Sequence, residues 1–171
     1  MPYVWYGKEA SVKIGDALSS VSGTQTLADQ FTGTDFSAEV TELRISTGEH
    51  GMDVLNVYGD QLLEESRPGL VTADFTMVFS DIDMFEHTFG AATSVGTTGF
   101  SRISGADKTG SRTAKAILFT LSNSNKGTIY CLLNNAYFTS SGEITLAADG
   151  RAEWTGTAVC KISDFYIEDN F

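Results

Sequence analysis

Few residues in this chain have the type and spacing to do chemistry. The two histidines, His50 and His87, stand without the Cys, His or Glu company that zinc ligation needs. His87 follows Asp83 by four residues, so a local ion pair on one helical turn accounts for it. Asp81, Asp83 and Glu86 gather acids as a calcium loop does. DIDMFE nevertheless lacks the alternating ligands and central glycine of such a loop, and acids in a first helical turn are favoured by the helix dipole. Glu64 and Glu65 could be a carboxylate pair for glycoside chemistry, but adjacent residues of a strand point to opposite faces. Glycines at 96, 99, 105 and 110 do not match GxGxxG, and no Walker, GxSxG or CxxC sequence occurs. Tyr3, Trp5 and Tyr6 could stack on a sugar, though aromatics at a terminus more often dock into a core or a partner. No catalytic residue, cofactor site or metal ligand is assigned, and the chain reads as a non-enzyme.

Composition narrows the remaining classes. The 171 residues suit one domain, 1–171, with a self-sufficient core, and abundant Gly, Ser and Thr with 2 Pro suit a turn-rich β protein. The first residues, MPYVWYGKEAS, have neither a basic nor an apolar signal-peptide region, so no export signal is expected, and no stretch is apolar enough to span a bilayer as a helix. Cys131 and Cys160 lie in apolar strand runs and are expected to be buried free thiols. The net charge of −11 argues against ordinary nucleic-acid binding. Two readings of that charge stay open: a solubilising or high-salt surface, and a surface past which DNA slides without sticking.

The elements that must position any site are strands. From Val71 the odd residues Val71, Ala73, Phe75, Met77 and Phe79 are apolar and the even ones mostly polar, a strand with one face to bury. At Ser80–Asp81 the period changes to helical, with Ile82, Phe85 and Phe89 on one side and Gly90 as the stop, which predicts one short helix over about 81–89. Late in the chain Asp149-Gly150 joins two alternating runs, and Trp154 shares a face with Ala152, Gly156, Ala158 and Cys160. In 36–46 the apolar parity switches between Val40 and Leu43, which predicts a bulge or a change of sheet.

Two stretches do not fit a single core. Residues 46–67 read as a long hairpin arm turning at Gly59-Asp60 and apolar on both faces, with Met52, Val54, Leu55, Val57, Tyr58, Leu62 and Leu63 as its apolar side chains. One core cannot satisfy both faces, so these residues are expected to form an intersubunit interface. Residues 90–113 form a long Gly/Ser/Thr-rich stretch, expected to be a loop. The predicted core is Val71, Ala73, Phe75, Met77, Phe79, Ile82, Phe85, Phe89 and Trp154.

The strand–helix unit RPGLVTADFTMVFSDIDMFEHTFG, the late hairpin GEITLAADGRAEWTGTAVC and the long hairpin before the helix resemble the major tail tube proteins of long-tailed, siphovirus-like bacterial and archaeal viruses. The resemblance is one of layout and covers about half the chain. It implies an antiparallel β-sandwich or rolled barrel with one flanking helix. It also implies homo-oligomeric, hexameric rings stacked into a tube, other tail proteins at the tube ends, genomic DNA in transit without sequence-specific binding, and location in the virion tail after synthesis in the host cytoplasm. Nothing catalytic is carried over. A non-catalytic ligand- or carbohydrate-binding module, or a capsid decoration protein, is the alternative that the same features leave open.

Overall fold

A computed structural model describes residues 10–37, 40–48, 51–57, 61–67, 69–78, 83–86, 93–96, 100–102, 113–123, 127–139, 143–146, 150 and 152–170, with the hairpin at 51–67 described in its backbone. In chain order its elements are β1 (Ala10–Asp16), α1 (Leu27–Gln30), β2 (Thr34–Asp35), β3 (Val40–Thr47), β4 (Gly51–Val57), β5 (Gln61–Arg67) and β6 (Leu70–Val78). There follow α2 (Asp83–Glu86), β7 (Thr93–Ser94), β8 (Ser101–Arg102), β9 (Lys115–Asn123), β10 (Gly127–Phe138), β11 (Glu143–Leu146), β12 (Ala152–Lys161), a 3-10 turn (Ile162–Asp164) and β13 (Phe165–Asn170). The fold is mainly antiparallel β with very little helix.

Among the described residues, nine strands share one sheet that folds into two layers. The first layer runs β2-β1-β9-β10-β13, and the second runs β11-β12-β6-β3. β10 belongs to both. Its first part pairs with β9 and β13, and its last residues, Tyr137 and Phe138, pair with Val159 and Ala158 of β12. The corner between them is local: the register slips between Leu133 and Ala136, and Asn135 takes a left-handed φ of 49°. Asn tolerates that conformation better than most side chains, which suits it to a bulge that turns a strand.

The alternating strands close a common core. Val71, Ala73, Phe75 and Met77 of β6 meet Trp154, Ala158 and Cys160 of β12 on one side, and Val12, Ile14, Ile117, Phe119 and Leu133 of the first layer on the other. Phe75 lies 6.0 Å from both Phe119 and Phe138, ring centre to ring centre. Phe85 of α2 packs edge-on against Trp154 at 6.1 Å. Phe79, Ile82 and Phe89 lie outside the described residues, so α2 is described over 83–86 of the expected 81–89.

The first layer is apolar on both faces, which is why Ala116, Ile117, Leu118 and Phe119 form an unbroken buried run. Ala116, Leu118 and Leu132 point away from the common core and are covered by Leu27 and Phe31 of the segment 17–33. That segment contains α1, a second short helix where the sequence reading had one. Thr26 caps it by accepting from the Asp29 N–H at 3.2 Å, and the Thr26 hydroxyl donates to Asp29 at 2.7 Å. Glu168 of β13 accepts from the Leu27 N–H at 2.9 Å, and buried Asn134 clamps Leu18 from both sides, accepting from its N–H at 2.8 Å and donating to its C=O at 3.0 Å.

Two expectations are refined. In the run at 36–46 the described strand is β3, which begins at Val40 and carries the predicted bulge between Val40 and Glu42, while Phe36 and Ser37 lie outside any strand. Val40 and Leu43 consequently reach the same core. The stretch 90–113 is not wholly loop, since β7 and β8 pair within it.

Candidate functional surface: the outer face of the second layer

Two layers have four faces. Two form the common core, and the segment 17–33 covers the third. The fourth, the outer face of β11-β12-β6-β3, has no described element packed on it.

Strand alternation dictates what this face carries. Burying Phe75, Met77, Trp154 and Ala158 turns Asp74, Thr76, Thr155 and Thr157 outward. In register they form cross-strand rows: Arg44, Asp74 and Thr157 in one, Glu42, Thr76, Thr155 and Glu143 in the next, Thr145, Glu153 and Val78 beyond. The Thr157 hydroxyl donates to Asp74 at 2.6 Å, and the guanidinium of Arg44 lies 3.6 Å from the Glu42 carboxylate. A shallow depression of about 330 Å³ opens between Glu42, Arg44, Asp74, Thr76, Thr155 and Thr157. The face therefore mixes short threonine hydroxyls with charge, Glu42, Asp74, Glu143 and Glu153 standing against Arg44 and Lys161. It offers neither a nucleophile with a base nor a ligand set. Among the described residues no three His, Cys, Asp or Glu side chains gather to hold a metal ion.

The face ends on two strands, β3 and β11. Among the described residues β3 pairs only with β6, and the sheet ends at β11 on the other side, which pairs only with β12. Every residue of β11 is exposed, and its core-side apolar residues Ile144 and Leu146 are 55% and 80% exposed. Unpaired edges of this kind template association unless something blocks them.

Solved structures share this architecture. A chain of the PVC sheath–tube complex of an extracellular contractile injection system, in its extended state, is similar at 11% identity and TM-score 0.51, over 98% of this chain and 93% of that one. The tube-terminating cap of the anti-feeding prophage is similar at 11% identity and TM-score 0.53, over 99% and 94%. The SPP1 tail tube is similar at 11% identity and TM-score 0.50, over 98% and 81%. The chain has a tail tube protein fold. No protein-family model and no curated protein matches its sequence. As in the sequence, no helix among the described residues is long and apolar enough to cross a membrane.

Within this tail tube fold, Val71, Ala73, Phe75, Met77 and Trp154 are buried in the common core and Phe85 packs on it. Met52, Val54, Leu55, Val57, Leu62 and Leu63 lie on β4 and β5, which pair with each other as a separate two-stranded sheet, and Tyr58 lies outside the described residues. Sequence reasoning missed the outer face itself. Its signal was present as the polar half of each alternating strand, but only the register shows that the threonines and acids of four strands converge. Both cysteines are free. Burial raises the Cys131 thiol above its ordinary range, and burial together with the nearby Asp164 pushes Cys160 up to about 11.

Proposed function

We propose that copies of this chain join through the second layer into rings, and that the rings stack into a viral tail tube through which genomic DNA passes. One observation carries the reading: among the described residues, the second layer has two unpaired edges that run in opposite directions. β3 and β12 run one way, β6 and β11 the other. When a copy is rotated about an axis along the strands, its β11 meets the first copy's β3 antiparallel. Alternation then continues unbroken around a closed ring, which also removes the edges. Six copies of four strands would give a barrel about 48 Å across its wall, taking ~4.8 Å per strand and a ~40° tilt. That leaves room for a duplex.

In this arrangement the outer face lines the channel. Threonine hydroxyls make a smooth wall, and the acid excess repels phosphates, whereas a basic wall would hold DNA by releasing its counterions. The protein is accordingly a single-domain structural component of the virion tail, with other tail proteins at the tube ends, and not an enzyme. Light scattering after size exclusion, followed by electron microscopy, tests the proposal. Rings or tubes with Thr155 and Thr157 on the inner wall are expected. A chain monomeric at every concentration and salt, or one that retains a glycan or peptide as a monomer, would overturn it in favour of a binding module.

A further inference from the structure

The two unpaired edges of the second layer match each other residue by residue. Backbone N–H and C=O groups alternate sides along an antiparallel strand, so one bond on each edge fixes the rest. On β3 the Gly48 N–H donates to the Leu70 carbonyl at 2.8 Å, one step beyond the Thr47–Val71 pair. Counting back by twos, Ser46 and Arg44 also bond inward to β6, whereas Ile45 and Leu43 turn their N–H and C=O to the open edge. On the other side the Thr139 N–H donates to the Thr157 carbonyl at 2.8 Å. By the same count Thr155 and Glu153 of β12 bond to their partners Glu143 and Thr145, and Ile144 and Leu146 of β11 turn outward.

The side chains repeat the match. Leu43 and Ile45 are half-buried at the margin of the common core, and Ile144 and Leu146 lie exposed on the same side of the sheet. Laid antiparallel, Leu43-Arg44-Ile45-Ser46 and Glu143-Ile144-Thr145-Leu146 have one register that sets both apolar residues of one edge against both of the other. A slip of one residue sets apolar side chains against the polar face. A slip of two leaves one apolar pair: Leu146 meets Thr41 at the bulge, or Ile144 meets Thr47. The first of these slips also sets Arg44 opposite Glu143. That guanidinium is exposed and already 3.6 Å from Glu42, so the added ion pair contributes little. The apolar match decides.

We propose that β3 of one copy joins β11 of the next with Leu43 opposite Leu146 and Ile45 opposite Ile144, which extends the common core across the seam. The inference rests on the ring reading and adds the pairing that selects a single register. Leu43/Leu146 and Ile45/Ile144 become the hydrogen-bonded pairs, each exchanging two backbone bonds. Arg44/Thr145 and Ser46/Glu143 become the non-bonded pairs, with Cα atoms ~4.5 Å apart. Ile144 and Leu146 thereby leave solvent, which accounts for apolar side chains where a lone subunit leaves them bare. A second copy is required: within one subunit β6 and β12 stand between β3 and β11, holding them ~14 Å apart.

Disulfide trapping reads the register. A bridge needs Cα atoms about 4.4–6.8 Å apart, and a slip of two residues moves them ~7 Å along the strand. Arg44→Cys with Thr145→Cys, and Ser46→Cys with Glu143→Cys, should each give ladders of covalent oligomers on mild oxidation. Arg44→Cys with Glu143→Cys, and Ser46→Cys with Thr145→Cys, should not. Cys131 and Cys160 lie away from both edges and stay in place, with single-cysteine variants as controls. Leu146→Asp should leave the melt of the subunit unchanged and raise the concentration needed for assembly roughly tenfold. Bridging by the offset pairs instead would overturn this register and leave the ring standing. Rings or tubes in which no pair bridges, or which Leu146→Asp leaves unaffected, would overturn the seam though not self-assembly. Ladders from the matched pairs that never close into rings or tubes would support the seam and sink the tube. A chain monomeric at every concentration and salt would overturn both.

Discussion

The indole of Trp154 occupies the space that a side chain at Gly156 would need. The two residues sit on the same core face of β12, and a Cβ at 156 would fall well inside van der Waals contact with the six-membered ring. Glycine normally weakens a strand, but here it makes the bed for the largest side chain in the core. The same indole meets Phe85 from its other surroundings, so it has little freedom to retreat.

Gly156→Ala should therefore destabilise the fold by about 1–3 kcal/mol through overpacking, although alanine suits strands better. Urea unfolding measures it. An unchanged midpoint would mean that the indole moves aside at no cost.

Asn134→Ala removes both hydrogen bonds to Leu18 and leaves a part-buried N–H and C=O without that partner. The cost should be about 1–3 kcal/mol. Hydrogen exchange should quicken across 17–33, while β6 and β12 amides slow to exchange in the parent remain so. Uniform quickening would show that the segment is not a separable cover.

Cys160 gives stability a dependence on alkaline pH. Its folded pKa, about 11, lies above the ordinary value of 9.0, so the folded state holds its proton longer. The contribution is complete below pH 9, declines as the unfolded thiolate forms, and is lost as pH rises through about 11. Subtracting the pH profile of Cys160→Ala from that of the parent isolates it. A flat difference between pH 8 and 11 would rule out the burial argument.

Much of this fold was legible because it is written in period two. Val71 to Met77 and Trp154 to Cys160 declare their buried faces by alternation alone, and the Val40/Leu43 parity switch marks its bulge. The cover at 17–33 was not read because a four-residue helix cannot display a periodic stripe; its trace was the cap pair Thr26 and Asp29. β13 follows β12 after one 3-10 turn, with no Gly or Pro to announce a new element. The outer face escaped notice for another reason. Its residues are spread over four strands, and only pairing collects them.

Association should strengthen as salt rises. With a net charge of −11, copies repel one another, and the Debye length shrinks from about 10 Å at 0.1 M to about 3 Å at 1 M. Screening weakens this repulsion, and apolar contacts persist. Sedimentation velocity across that range should show larger species at high salt. The opposite trend would mean that specific ion pairs, not apolar contacts, hold the copies together.

The corner at Asn135 has a mechanical consequence. Because β10 passes unbroken from one layer into the other, and β12 continues into β13 alongside it, the two layers are stitched by continuous backbone. Layers held only by side chains can shear past each other; these cannot without stretching a strand. Load applied to the threonine face is thus carried at once into the layer behind it, and the subunit responds as a stiff block, with the bend at residue 135 as its seam.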